Sequence, residues 1–374
     1  MWSLALRTLL ADRGKLITAL VGVVFSIVLM NVQGGLFLGL LRRASLMVDF
    51  NPADIWVGHK AMHNVDFARD IPRRWRDRIL GTPGVADAEP YIIGHTEMTL
   101  PSGGYEDVVV VGSDRASLWG GAWNVSDGDA TAVRKPEGII VDEFEAEKLE
   151  FPKVGDTREI GGQRARVVAH SRGIVGFLVT PYVFTTLSQA SLYLDKPPER
   201  CSYFLVKLEP GFDAATVCRA IRQRLPEVEA YSSKEYAWTS INYWLTRTGL
   251  GISFGAATLL GVLVGAVIVA QTLYASVLDR LGEFGTLKAM GARDRQIFCI
   301  LLAQALVMAL AGAVIAFETV LFIERAFSTP HAPIVVPLSL SLTSFAVVLA
   351  ICIGASLVPY WRIRKLDPAI VLRG

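Results

Sequence analysis

Few residues in this chain stand at spacings that do chemistry. His59 and His63 are four apart, which on a helix presents two imidazoles to a metal, but no third ligand lies near and they read as exposed polar side chains. Gly14-Lys15 is followed by Leu16 and lacks an upstream glycine, so it is no phosphate loop, and nucleotide hydrolysis by that route is excluded. No serine sits in a nucleophile-elbow setting. Cys201 and Cys218 could form a disulfide in an oxidising compartment, but two buried thiols are the preferred reading. The richest stretch is Arg280 to Ala292, charged and punctuated by Gly282, Gly285 and Gly291. Its chemistry is recognition: Glu283, Lys288, Arg293 and Arg295 offer charge to a soluble partner, and the glycines permit tight turns against its surface.

The elements on either side are apolar. Of 374 residues 52% are hydrophobic and only 19% charged, with a mean hydropathy of +0.40. No Asp, Glu, Lys or Arg occurs in residues 16–41, 248–278, 296–317 or 326–361. Each run exceeds the roughly 20 residues that cross a hydrocarbon core. Pro330, Pro333 and Pro337 make the start of the last run an extended loop. The fold class expected is therefore a membrane protein with four transmembrane α-helices over 16–41, 248–278, 296–322 and 338–361. The first span is too long for a cleaved signal peptide and no cleavage pattern precedes Arg42. Arg7, Arg13 and Lys15 precede it, Arg280, Lys288, Arg293 and Arg295 lie in 279–295, and Arg362, Arg364, Lys365 and Arg373 follow the last span. By the positive-inside rule both termini and segment 279–295 are cytoplasmic, with Arg42 and Arg43 as exceptions. The loop 323–337 is then outside.

Residues 42–246, between the first two spans, form a segment of domain size on the outer side. Val108–Val111, Gly138–Val141, Ala165–Ala169 and Tyr203–Leu208 read as strands. Asp66–Leu80 and Asp213–Leu225 read as amphipathic helices, the second capped by Asp213. The expectation is a large α+β extracytoplasmic domain inserted between the first and second helices, with room for two lobes. Cys299 and Cys352 lie inside spans as small packing residues, and Glu318 is an interfacial carboxylate that could pair with Arg325. The spans lack the mid-depth charges of a secondary transporter. Gly251, Gly255, Gly261 and Gly265 line the second span at GxxxG spacing, a candidate dimer seam.

The order of parts resembles the permease subunits of the MacB/FtsX/LolE, or type VII, group of ABC transporters. Two motifs carry the likeness. The first is Arg280, Glu283, Phe284, Gly285, Leu287, Lys288, Ala289, Gly291 and Ala292; the second is Pro359, Arg362, Lys365, Leu366, Asp367, Pro368, Leu372 and Arg373. Ile370 departs from the second, standing where an acidic residue is usual. Residues 1–15, with Leu4 to Leu10, look like the group's amphipathic cytoplasmic helix, and Val24 to Gly34 is similar to the first span of DevC-type permeases.

The resemblance implies a non-catalytic subunit of the bacterial cytoplasmic (inner) membrane, acting as a dimer. ATP and Mg would be bound by a separate ATPase, with no cofactor in this chain. Arg280, Glu283, Phe284, Leu287, Lys288, Gly291 and Arg293 would couple to that ATPase, and Arg362, Lys365, Pro368 and Arg373 would form the tail contact. Cargo would be lipid-like or amphipathic, exported or extracted by mechanotransmission, with a membrane-fusion protein and an outer-membrane channel as further partners. Nucleic acid is not among the expected partners. An FtsX-like signalling protein, which activates an outer enzyme without moving cargo, is the alternative. The outer segment of about 200 residues favours transport, and a plain membrane-anchored binding module ranks last because it leaves the 280–292 motif unexplained.

Overall fold

The computed structural model describes residues 13–278, 282, 286, 290, 292–329 and 331–364. The chain divides into two compact units, one of residues up to 39 with those from 251 onward and one of residues 40–250.

In the outer unit the sequence alternates its side chains between two buried faces. Val108 and Val110 enter one hydrophobic core, while Val109 and Val111 enter the other. A strand covered on both faces has no solvent side, which is why this segment is an unbroken valine run. The strands are β1 (Ile55–His59), β2 (Ile71–Pro72), β3 (Val85–Thr99), β4 (Tyr105–Ser113), β5 (Val125–Gly128), β6 (Gly138–Asp142), β7 (Thr157–Ile160), β8 (Gln163–Ser171), β9 (Tyr182–Thr186), β10 (Arg200–Cys201), β11 (Tyr203–Leu208) and β12 (Val228–Ser232). One mixed sheet runs in the order β12-β1-β11-β3-β4-β9-β6-β8-β5, with β7 against β3 and β8, and β10 pairs with β2 alone. β4–β9 and β6–β8 are parallel and the other pairings antiparallel. β3 belongs to both halves of the sheet: Val85 to Tyr91 pair with β11 and Ile92 to Thr99 with β4. A single continuous sheet therefore fills the domain where two lobes had room.

Six helices and helix ends complete it: α1 (Arg13–Ala44, the first span, whose end enters this unit), α2 (Leu46–Asp49), α3 (Arg76–Leu80), α4 (Leu187–Tyr193), α5 (Ala214–Arg224) and α6 (Ser233–Arg247). α5 has Asp213 as its cap, accepting from Thr216 N, and lays Val217, Cys218 and Ile221 on the first core. α6 opens with a capping box in which Glu235 N donates to Ser232 Oγ at 3.3 Å and Ser232 N to Glu235 Oε2 at 3.1 Å. The helix expected over Asp66–Leu80 is a correction. Residues 60–70 are irregular, Arg73–Trp75 form a 3₁₀ turn, and only Arg76–Leu80 are α-helical. Pro72 keeps Ile71 extended, and the two residues pair with β10 instead of coiling.

The membrane unit holds the body of α1 together with α7 (Leu250–Leu278), α8 (Asp294–Phe327) and α9 (Leu338–Arg364). The four helices are long and apolar enough to cross a bilayer. Ala19, Val23, Ile27 and Met30 form one buried stripe of α1 and meet Ala305, Ala309, Ala313 and Ala316 of α8 with Val348, Cys352 and Ala355 of α9. Lipid offers no hydrophobic drive for helix pairing, so small residues that permit close contact do the packing.

Candidate functional site

The segment expected to meet a partner lies between α7 and α8. Its described residues are Gly282, Thr286, Met290, Ala292 and Arg293, of which the first three stand one helical turn apart and are exposed. Thr286 Oγ1 donates to Gly282 O at 2.8 Å and Met290 N to Thr286 O at 3.0 Å. Arg293 is exposed at the start of α8, where its backbone N–H donates to Gln296 Oε1 at 2.9 Å. Arg280, Glu283, Phe284, Leu287, Lys288 and Gly291 lie outside the described residues, as do Lys365, Pro368, Arg373 and residues 1–12. Arg362 is in the last turn of α9.

The four glycines of the second span separate by environment. A Cβ on Gly265 would overlap Ser26 Oγ, and one on Gly261 would overlap the Leu29 side chain, so both let α7 approach α1 within the protomer. Gly255 has open space around it. With Gly251 it borders an open apolar groove of about 480 Å³, whose walls include Gln33 and Phe37 of α1 and Phe254 of α7. Phe37 and Phe254 stack there at 4.9 Å. Ile252, Leu259, Leu260, Leu263, Val264 and Val267 extend the same helix as exposed apolar surface.

Inside the membrane unit one polar side chain ties two helices together. Asn31 is fully buried; its Nδ2 donates to Ser344 Oγ at 2.7 Å and to Ile27 O at 2.8 Å, and its Oδ1 accepts from Ser341 Oγ at 3.1 Å. Sequence reasoning saw Asn31 as one of few polar residues in a span, but its partners more than 300 positions away carried no local signal. Glu318 is exposed on α8, and among the described residues it forms no ion pair with Arg325.

In the outer domain one carboxylate, Asp66, is buried and strongly perturbed, which the helix reading missed. Asn64 Oδ1 accepts from Asp66 N at 2.9 Å, a turn that sends the Asp66 carboxylate inward. Its Oδ1 accepts from Tyr182 Oη at 3.0 Å, while Oδ2 is buried without a hydrogen-bond partner. Burial pushes the carboxyl up to about 6, against the opposing pull of the Tyr182 bond and of His95. Tyr236 Oη donates to Tyr203 Oη at 2.9 Å, and Tyr203 Oη donates to Asn64 O at 3.1 Å and Val65 O at 3.2 Å. Trp56 fills the centre, against Tyr91, Tyr203 and Tyr236. The network links α6 to loop 60–70 and, through Tyr182, to β9.

The remaining candidates are chemically quiet. His59 ends β1 rather than lying on a helix, and its Nδ1 accepts from Ala61 N at 3.1 Å. Among the described residues no three His, Cys, Asp or Glu side chains gather as metal ligands. Cys201 and Cys218 are buried free thiols, each pushed up to about 12 by burial, and so poor nucleophiles.

Comparison with known proteins agrees with this architecture. The family model of the MacB-like periplasmic core domain matches residues 16–224, and that of the FtsX-like permease C-terminal matches residues 255–368. The chain is 27% identical over 383 residues to the ABC transporter permease Rv2563 of Mycobacterium tuberculosis, covering 99% of each. It is 28% identical over 377 residues to Rv0072 of the same organism, again covering 99% of each. Among solved structures, the periplasmic region of MacB from Actinobacillus actinomycetemcomitans aligns at a TM-score of 0.39 and 8% identity, covering 50% of this chain and 91% of that one. The extracellular domain of the transporter YknZ from Gram-positive bacteria aligns at 0.36 and 12%, covering 48% and 99%. With a core-domain match across more than half its length, four spans and the permease C-terminal region, this multi-pass membrane chain belongs to the MacB/FtsX family of ABC transporter permeases.

Proposed function

We propose that the chain is the permease subunit that couples ATP hydrolysis in a separate ATPase to export or extraction of a lipid-like or amphipathic cargo by mechanotransmission. The observation that carries the reading is the order of parts in a chain of this family. One span, an outer domain and three spans are joined by a charged segment, 279–295, between the second and third spans. On this reading ATP and Mg stay in the partner. The chain supplies contact surface, through Arg280, Glu283, Phe284, Leu287, Lys288, Gly291 and Arg293, and through Arg362, Lys365, Pro368 and Arg373 of the tail. When the ATPase closes on ATP it displaces the segment, and α7 and α8 carry the displacement across the bilayer as stiff rods. The charge distribution supports termini and segment on the cytoplasmic side. The open end of α7 at Gly251 and Gly255 supports a second copy as partner, and its apolar groove offers a surface to acyl chains. A membrane-fusion protein and an outer-membrane channel extend the same reading.

The test is co-expression with the ATPase encoded beside the chain, purification of the complex and assay of stimulated ATP hydrolysis. The Glu283→Ala/Lys288→Ala variant is expected to express normally and to lose at least about tenfold of the stimulation, the scale of one or two charge-assisted contacts. Failure of any ATPase to co-purify, or unchanged stimulation in the variant, overturns the reading. Coupled hydrolysis without cargo movement would instead favour signalling.

A further inference from the structure

The stretch from Arg69 to Arg78 carries Arg69, Arg73, Arg74, Arg76 and Arg78 on the outer domain. Two of these are spent on the fold. Arg76 Nε donates to Ala88 O at 2.6 Å and its Nη2 pairs with Asp87 at 3.1 Å, while Arg78 Nη2 donates to Arg224 O at 3.1 Å. Arg73 and Arg74 turn instead to a cleft of about 470 Å³, shared with Arg200 and walled by Pro72, Pro197 and Glu199. The β2–β10 pairing, which sets Arg200 opposite Pro72, fixes the two sides of the cleft.

Two of the three guanidinium groups are held in place without being neutralised. Arg73 Nη1 donates to Pro198 O at 2.7 Å, and Arg200 Nη1 donates to Asp70 O at 3.1 Å. Each bond occupies one of five N–H donors and leaves the rest of the fork and the full charge. The carboxylate of Asp70 is taken by Lys196 Nζ at 2.7 Å. Arg74 has neither a hydrogen bond nor an ion pair among the described residues, and its Cα is fixed by the 3₁₀ turn Arg73–Trp75. Three guanidinium groups thus line the cleft against one carboxylate, Glu199.

We propose that this cleft binds a phosphate ester, with Arg73 and Arg200 as preset donors and Arg74 as the third. A phosphomonoester carries about −1.5 to −2 charge and three acceptor oxygens, which suits the surplus of two positive charges here better than a single planar carboxylate does. Arginine forks pair with phosphate oxygens two at a time, and fixed forks lose little freedom on binding. The site lies wholly within the outer domain and does not depend on the transport reading. The phosphate can belong to a soluble metabolite or to a lipid headgroup.

The test is calorimetric titration of the full chain in a neutral detergent at low salt, with glycerol 3-phosphate and with dihexanoyl phosphatidic acid. Saturable binding of both is expected, weakened by added salt. Comparable affinities point to a soluble ligand, and tighter binding of the lipid by tenfold or more points to a headgroup. Arg74→Gln, which disturbs no hydrogen bond of the fold, should weaken binding roughly tenfold, the scale of a lost charge-assisted hydrogen bond, and Arg74→Glu should abolish it. Arg164→Gln, an exposed arginine elsewhere on the domain, should leave binding unchanged. Absence of saturable binding to either probe, or equal loss in the Arg74 and Arg164 variants, overturns the proposal.

Discussion

Replacing Asp66 by Asn should make the protein more stable at neutral pH, although it removes a charged residue that a tyrosine bonds. The folded carboxyl titrates at about 6 against an ordinary value of 3.8, because burial disfavours its charged form. The folded chain therefore binds a proton more tightly than the unfolded chain between these values, and stability falls as pH rises through that window. The penalty is absent below about 3.8, grows through 6 and is complete by pH 7 and above. The difference of about two pH units corresponds to about 3 kcal/mol at pH 7. Asn is isosteric, and its Oδ1 can still accept from Tyr182 Oη, which now sits 3.0 Å from the carboxylate. Among the described residues nothing donates to Oδ2, so the amide loses no partner there, and its N–H groups stand where the neutral acid holds its O–H. The assay is denaturant unfolding of the full chain in detergent micelles, followed by tryptophan fluorescence from pH 4.5 to 8. Glu89 and Asp142 are also raised by burial, so the wild-type profile alone mixes several groups. The difference between wild type and Asp66→Asn isolates this one. A gain of about 2–3 kcal/mol at pH 7 that falls to about 1 kcal/mol by pH 4.5 is expected. A variant less stable than wild type at pH 7, or a gain independent of pH, would mean that the ionised form is compensated in the fold, and would refute the reasoning.

Two further outcomes concern the membrane unit. Asn31→Leu removes the bonds to Ser341 and Ser344 and should cost about 1–2 kcal/mol of unfolding free energy in micelles, since both serines can turn back to their own helix. Ser344 Oγ already donates to Ser341 O at 2.9 Å, so a loss well above that range would mean that α1 and α9 depend on this contact more than the hydrogen bonds allow. Gly265→Leu meets Ser26 of α1 and should lower the midpoint of thermal unfolding, whereas Gly255→Leu meets open space and should leave it unchanged. Mass measurement of the two variants in detergent then separates roles: loss of a dimer is expected in Gly255→Leu, and loss in Gly265→Leu alone would move the seam to the other end of α7.

What was legible in the chain follows from the range over which each signal acts. Charge-free runs located the four spans, because the cost of a charge in hydrocarbon acts residue by residue. The same runs could not locate helix ends. α8 continues to Phe327 beyond Glu318, Glu324 and Arg325, since a carboxylate or guanidinium at the interface is no obstacle to a helical backbone. Strands covered on both faces announced themselves as apolar runs, as at Val108–Val111 and Tyr203–Leu208. β3 did not, although it is the longest strand at 15 residues. Pro90 interrupts its pattern, and it stands where the strand leaves β11 for β4, at the place where a missing N–H is cheapest.

Site residues divide along the same line. The charged segment 279–295 is a local motif, so it could be read without a fold. The arginine cleft draws Arg73 and Arg74 together with Arg200, and only the pairing of β2 with β10 makes them neighbours. Five arginines stand at 69–78, but composition alone does not distinguish Arg76, bound to Ala88 and Asp87, from Arg74, which has no such bonds among the described residues. Asp66 is the opposite case. The sequence pattern places Asp66 at the start of an amphipathic helix, and only the fold reveals that Asn64 turns it inward beneath Tyr182. A residue's chemistry is set by its neighbours, and where those are supplied by sheet pairing rather than by adjacent positions the sequence names the group without naming its state.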